Sequence, residues 1–182
     1  GDNMIMHKGK TIYLSSVTVD VESARKIVEL RNGDVQKKFL NPTKNSIEDQ
    51  LEWLGNYLER NKNGDEFYFF IKRIDTDEII GTVRIYDIKR DIDSFCWGSW
   101  ILNERKTHTA ALESYLLINK FAFYHLNYQN SHFDVRKDNS KVISFHKKTG
   151  AVITDDDEMN YYFQYTKEKF EKFSLKYNGL IK

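Results

Sequence analysis

Two short stretches of this 182-residue chain place charge-binding or proton-handling groups at spacings a fold can use. In Arg105-Lys106-Thr107-His108-Thr109-Ala110, a polar loop runs into a long apolar segment of helical pattern. A helix entrance leaves about four N–H groups unpaired and turns the positive end of the dipole outward. Arg105, Lys106, Thr107 and Thr109 add donors there, so the loop can seat a phosphate-like anion or serve as an ordinary polar cap. In the second stretch, Asn139 is a good helix N-cap, Gly150 a good helix stop, and His146 lies on the helix between them. An imidazole with an ordinary pKa near 6.5 is about one-tenth cationic at pH 7.5, and its neutral form keeps one N–H to donate. His146 therefore reads either as a proton donor or as a satisfied structural residue. Arg31, near a helix end, fits either a phosphate or a surface ion pair.

Other groups carry less. Asp155-Asp156-Asp157-Glu158 lacks the alternating spacing of a calcium loop and reads as a solvated hairpin turn. His7, His125 and His132 show no metal-ligand spacing, so no metal site is expected. Cys96 is the only cysteine, which excludes an intramolecular disulfide and suits a reducing compartment; the expected location is the cytoplasm. With 28 Lys+Arg against 27 Asp+Glu there is no basic surplus for duplex nucleic acid or an anionic membrane, and the expected partner is a small molecule. The longest apolar runs, 67–71 and 115–118, are far too short to span a bilayer.

The elements that must position these groups follow from periodicity. Residues 19–31 and the segment from Ser46 onward read as helices, the second opened by a capping-box-like Ser46-Ile47-Glu48-Asp49 and separated from the first by a polar loop around Pro42. Residues 67–71, 79–86 and 94–102 read as an antiparallel meander, and 110–126 as a helix buried over most of its circumference. A strand at 131–136, a helix at 139–149, a strand at 159–165 and a helix at 167–177 complete the chain. With a strand ahead of the first helix, the order holds six strands and predicts one α/β (α+β) domain over 1–182 with a mixed, mainly antiparallel sheet and helices on both faces.

That order, over residues 10–177, resembles the GNAT superfamily of acyl-CoA-dependent N-acetyltransferases, which implies a GNAT-like, mainly antiparallel seven-stranded sheet. Glu29-Leu30-Arg31-Asn32, Glu52-Trp53 and Ile80-Gly81-Thr82-Val83 resemble its branch of ribosomal-protein and amino-sugar-nucleotide acetyltransferases. The loop 105–110 occupies the place of the superfamily's pyrophosphate motif, with His108 where a glycine is usual. Asn139, Val142, His146 and Gly150 occupy a second family pattern in which a tyrosine stands at the His146 position.

The resemblance implies transfer of an acetyl group from acetyl-CoA to a primary amine by direct attack in a ternary complex. It implies cofactor contacts from Arg105, Lys106, Thr107, His108, Thr109, Ala110 and Asn139, and from the backbone of Trp100, Ile101 and Leu102 beside a gap between strands. His146 would protonate the departing thiolate. Arg31, Asn32, Tyr86, Trp97 and Ser99 would border an acceptor pocket, an amino sugar on a nucleotide being favoured over a peptide N-terminus or an antibiotic-like amine. For the base, Asp93, Glu104 and a water on Ser99 stay open, as does monomer or homodimer. The competing reading is a non-catalytic module of the same fold whose pyrophosphate loop has degenerated at His108.

Overall fold

The structure is a computed structural model that describes residues 7–33 and 46–181. The expected loop around Pro42 lies outside them, apart from its last residue, Ser46. The strands are β1 (His7–Lys8), β2 (Ile12–Ser16), β3 (Phe67–Arg73), β4 (Ile79–Lys89), β5 (Ser94–Leu102), β6 (Asn130–Arg136), β7 (Val152–Asp156) and β8 (Asn160–Thr166). The helices are α1 (Val21–Gly33), α2 (Ile47–Lys62), α3 (Ala110–Lys120), α4 (Ser140–Thr149) and α5 (Lys167–Ser174). The sheet order is β1-β2-β3-β4-β5-β6-β8-β7, antiparallel throughout except for β5 against β6.

The residue patterns give six strands, the resemblance implies seven, and the sheet has eight. Its two outermost strands evade pattern reading for physical reasons: β1 is two residues long, and β7 reads Val-Ile-Thr-Asp-Asp and is largely exposed. Asp155 and Asp156 therefore belong to a strand rather than a turn. The turn itself is made by Asp157, whose side chain accepts the N–H groups of Met159 and Asn160. Helix 110–126 is also shorter than its pattern: after Lys120 it widens into a π-helical turn, with the Leu126 N–H bonded to the Phe121 carbonyl at 2.9 Å. Likewise 167–177 divides into α5 and a 3-10 turn at Leu175–Tyr177.

Alternation of side chains separates two cores. On β4, Val83 and Ile85 join Ile12, Leu14, Phe95, Trp97 and the apolar side chains of α3. Thr82 and Arg84 face the other way, toward the smaller cluster in which α1 and α2 place Ala24, Ile27, Leu54 and Tyr57 on Tyr68 and Phe70, while Tyr86, next to Arg84, packs at the edge of the larger core beside Cys96. Fully buried Phe95, Phe123, Phe163 and Phe170 each contribute about 1.5–3 kcal/mol, which makes the α3 side the main source of cohesion. Ser46 caps α2 as its sequence predicts, accepting the Asp49 N–H at 3.0 Å, and Gly150 ends α4 at φ 99°. Gly81 is required by close approach, since a Cβ there would stand 2.0 Å from the Ile101 carbonyl oxygen of β5.

What this frame positions is a gap. β5 and β6 run side by side only at Ser94 with Asn130 and Phe95 with Ser131, and from Cys96 onward the β6-facing edge of β5 has no strand partner among the described residues. No helix among the described residues is long and apolar enough to cross a membrane.

Candidate active site

The gap is a slot with one wall on β5 and another on β6. Trp97 and Trp100 line the first, with ring centroids 5.1 Å apart, and Phe133 the second. The floor is α4, whose Phe145 and His146 rings pack against Trp100 (6.3 Å), Trp97 (6.0 Å) and Phe133 (4.4 Å). Trp100 is anchored by its indole N–H, which donates to Ser114 Oγ of α3 at 2.9 Å.

His146 is 5% exposed, and no side chain or backbone group among the described residues hydrogen-bonds its ring. Burial among aromatic rings lowers its pKa from 6.5 to about 4. This changes what the residue can do. The imidazolium route that the sequence allows is closed near neutrality, and what remains is a neutral ring whose N–H can be donated. Cys96, on the opposite face of β5, is pushed by burial up to about 12, so it is an inert thiol.

At the open end of the slot, β5 leads through residues 103–109 into α3. Arg105 N–H donates to Asn103 Oδ1, Lys106 N–H to the Asn103 carbonyl and Ala110 N–H to the Thr107 carbonyl. The N–H groups of Thr107, His108, Thr109, Ala111 and Leu112 have no partner among the described residues, and His108 is exposed, so its ring does not plug the helix entrance. The Arg105 guanidinium rests on Glu78 at 3.2 Å, an exposed pair that a stronger anion can displace.

A residue the sequence reading passes over fixes this loop. Glu113, fully buried in the first turn of α3, accepts the Thr11 N–H at 2.7 Å, the Ile12 N–H at 3.3 Å and the hydroxyls of Thr11 and Thr109. Thr11 Oγ1 also meets Thr107 Oγ1 at 2.7 Å. The only signal in the sequence is a carboxylate inside an otherwise apolar helix. Asn139 occupies the N-cap position of α4, as expected, but its side chain makes no capping hydrogen bond, which leaves its amide available to a ligand.

On the far face of β5, the predicted acceptor residues divide. Tyr86 and Ser99 are together: Arg84 donates from Nε to Ser99 Oγ at 3.2 Å, and its guanidinium lies 4.2 Å from the Tyr86 ring centre. Arg31 and Asn32 close α1 on the same side of the sheet. Trp97 points the other way, into the slot, against Tyr115 and His146. Ser99 sits in a bulge of β5 at φ 48°, held by the Thr82 hydroxyl, which donates to its carbonyl at 2.7 Å. Arg84 is held in turn by buried Glu66, which also binds Arg60 of α2, each at 2.9 Å. Arg84 was legible as a polar member of the alternation Thr82, Arg84, Tyr86, but its partner Glu66 was not.

A parallel strand pair that parts after two residues, opposite a helix entrance with free amides, is the geometry the resemblance implies, and comparison with known proteins agrees with it. The model of the GNAT acetyltransferase domain matches residues 15–152. The chain belongs to the GNAT acetyltransferase family. Among solved structures, this GNAT chain is similar to FdhC, described as a nucleotide-linked sugar GNAT, at 42% identity and TM-score 0.88, covering 96% of this chain and 97% of that one. It shares the fold of a GCN5-related N-acetyltransferase of Brucella melitensis, at 12% identity and TM-score 0.74 over 94% of this chain and 83% of that one. It also shares the fold of a mutant spermidine N-acetyltransferase, SpeG, of Vibrio cholerae, at 16% identity and TM-score 0.71 over 87% and 95%. No curated protein matches the sequence significantly. The GNAT chain is thus an N-acetyltransferase, and the residues at 103–112 and along β5 suit acetyl-CoA, offering free amides for a diphosphate and an unpaired strand edge for an extended amide-bearing arm.

Proposed function

We propose that this enzyme acetylates the primary amine of a small acceptor, an amino sugar carried on a nucleotide, by direct attack within a ternary complex. The observation that carries the reading is the two-residue pairing of β5 with β6, which leaves the rest of that β5 edge, toward the helix entrance, without a strand partner among the described residues. Likeness to a nucleotide-linked sugar GNAT supports the acceptor class.

Acetyl-CoA, when bound, would supply a thioester open to attack by a neutral amine: the carbon–nitrogen bond would form as the carbon–sulfur bond breaks, and the proton lost by nitrogen would balance the one gained by the departing thiolate. The chain's own groups divide the remaining work. The free amides of Thr107, His108, Thr109, Ala111 and Leu112, with the side chains of Arg105, Lys106, Thr107 and Thr109, hold the diphosphate, and Glu113 keeps those threonines in place. His108 contributes its amide and keeps its ring outside, and Ala110, fully buried, lets the loop lie close to the helix. The edge of β5 around Trp100, Ile101 and Leu102 pairs with the cofactor's arm and orients the carbonyl, and Asn139 binds the arm from the β6 side. His146 donates its neutral N–H to the leaving sulfur inside a site dry enough for one such bond to matter. Arg31, Asn32, Tyr86 and Ser99 receive the acceptor on the opposite face, and Trp97 walls off the slot behind it.

The deciding experiment is calorimetric titration with acetyl-CoA, followed by acetyl-CoA consumption against nucleotide-linked amino sugars, polyamines and short peptides. Binding in the micromolar range with turnover confined to the amino sugars is the expected result. Absence of binding at millimolar cofactor overturns the proposal, and turnover with polyamines or peptides alone reassigns the acceptor.

A further inference from the structure

Outside the slot, three polar side chains are joined into a chain that crosses the sheet. Ser94 Oγ of β5 lies 2.6 Å from His132 Nδ1 of β6, and His132 Nε2 lies 3.0 Å from Asp87 Oδ2 of β4. Because β5 runs between β4 and β6, the Asp87 and His132 side chains meet over β5, at the closed end of the slot where Ser94 pairs with Asn130. Alternation puts Ser94 with Cys96 on β5 and His132 with Asp134 on β6, on the face that carries Arg84 and Tyr86, and the break in β4 register at Asp87, with φ 48°, turns its side chain onto that same face, which is the acceptor face.

The residue types are those of a hydrolytic triad, but the accessible end is reversed. Ser94 is 2% exposed and unable to reach a ligand, whereas the Asp87 side chain is about half exposed, at 53%. Charge fixes the protons: an ionised Asp87 accepts from Nε2–H, which leaves Nδ1 to accept from the Ser94 hydroxyl. Ser94 thereby sets the tautomer of His132, and His132 orients one carboxylate oxygen. Lys89 Nζ, at 3.9 Å from Oδ2, is beyond hydrogen-bond range, and no partner among the described residues takes Asp87 Oδ1. Asp134, two residues along β6 and exposed on the same face, adds negative potential toward the open end. At the other end of this face stand Arg84 and Arg31, so the cleft is acidic at one end and basic at the other. That distribution matches an acceptor with an ammonium at one end and phosphate at the other.

We infer that Asp87 is the seat of the acceptor's ammonium group, with His132 and Ser94 as its positioning residues; this rests on the amine-acetylation reading above. The test compares binding, by calorimetry on the full chain, of a nucleoside-diphosphate amino sugar and its counterpart with hydroxyl in place of the amine. The wild type is expected to favour the amine about tenfold or more, the worth of a charge-assisted hydrogen bond. Asp87→Asn, which tolerates the left-handed backbone at φ 48°, should bring that ratio to near one while leaving acetyl-CoA binding and the melting temperature unchanged. His132→Gln keeps a donor toward Asp87 and should retain part of the ratio that His132→Phe loses. A wild type without preference, binding of neither sugar, or an Asp87→Asn variant that keeps the full ratio overturns the inference. Failure of acetyl-CoA to bind overturns the underlying reading instead and is read in a separate titration.

Discussion

The two faces of β5 solve opposite problems. Toward α3 and α4 the strand presents Trp97 and meets a wall of rings, with one imidazole kept neutral by its burial among them. Toward α1 and α2 it presents Ser99 and Ser94, each held by a neighbour of charged or titratable type, Arg84 and His132. A dry face strengthens a single weak donor such as the His146 N–H, whereas a charged face selects among ligands by sign and position. One strand can serve both only because alternation sends successive side chains apart and a bulge at Ser99 shifts the register between them.

The comparison is broken most severely where the faces share backbone. Gly81→Ala sets a Cβ against the Ile101 carbonyl, forces β4 and β5 apart, and should cost about 3 kcal/mol or more, read as a large fall in melting temperature. Next comes the dry face itself. Because His146 titrates near 4 when folded and near 6.5 when unfolded, the unfolded chain takes up a proton first as pH falls. Stability present above pH 6.5 is therefore lost progressively down to about pH 4, by as much as about 3 kcal/mol. His146→Phe should flatten that part of the stability profile and lower kcat about 100-fold with acetyl-CoA affinity unchanged; unaltered kcat removes His146 from the chemistry.

The charged face should respond more mildly. Glu66→Gln deprives Arg84 of its carboxylate partner but leaves the guanidinium on Tyr86 and close to the Trp53 ring, at 5.2 Å. The expected cost is about 1–2 kcal/mol, with a weaker hold on acceptor and no change toward acetyl-CoA. A variant that weakens cofactor binding as much as acceptor binding shows that the two faces are not separate in function.

The sequence made the interior strands and helices legible because each carries a period of two or of about 3.6 residues over five or more positions. Strands β1 and β7 were invisible for want of length or of apolar alternation, since an edge strand can be specified by its neighbour rather than by its own residues. In the candidate site, the loop at 105–110 and the pair Asn139 and His146 were found by position along the chain. The direction of the His146 shift was not, because desolvation depends on Trp97, Phe133, Phe145 and Phe163, which arrive from four different segments. Glu113, Glu66 and the Ser94–His132–Asp87 chain were missed for the same reason: apart from Thr109, four residues from Glu113, their partners lie between 6 and 102 residues away, and local spacing is silent about them.

The brevity of the β5–β6 junction makes the sheet two panels, one of five strands and one of three, joined through two residue pairs and the packing around α3. Whatever lodges in the crease between them stands in for the missing rungs of the ladder. The β6-facing amide hydrogens of β5 beyond Cys96 should then exchange with solvent quickly in the free enzyme and slowly once the crease is filled, so the panels stiffen as the reactants assemble.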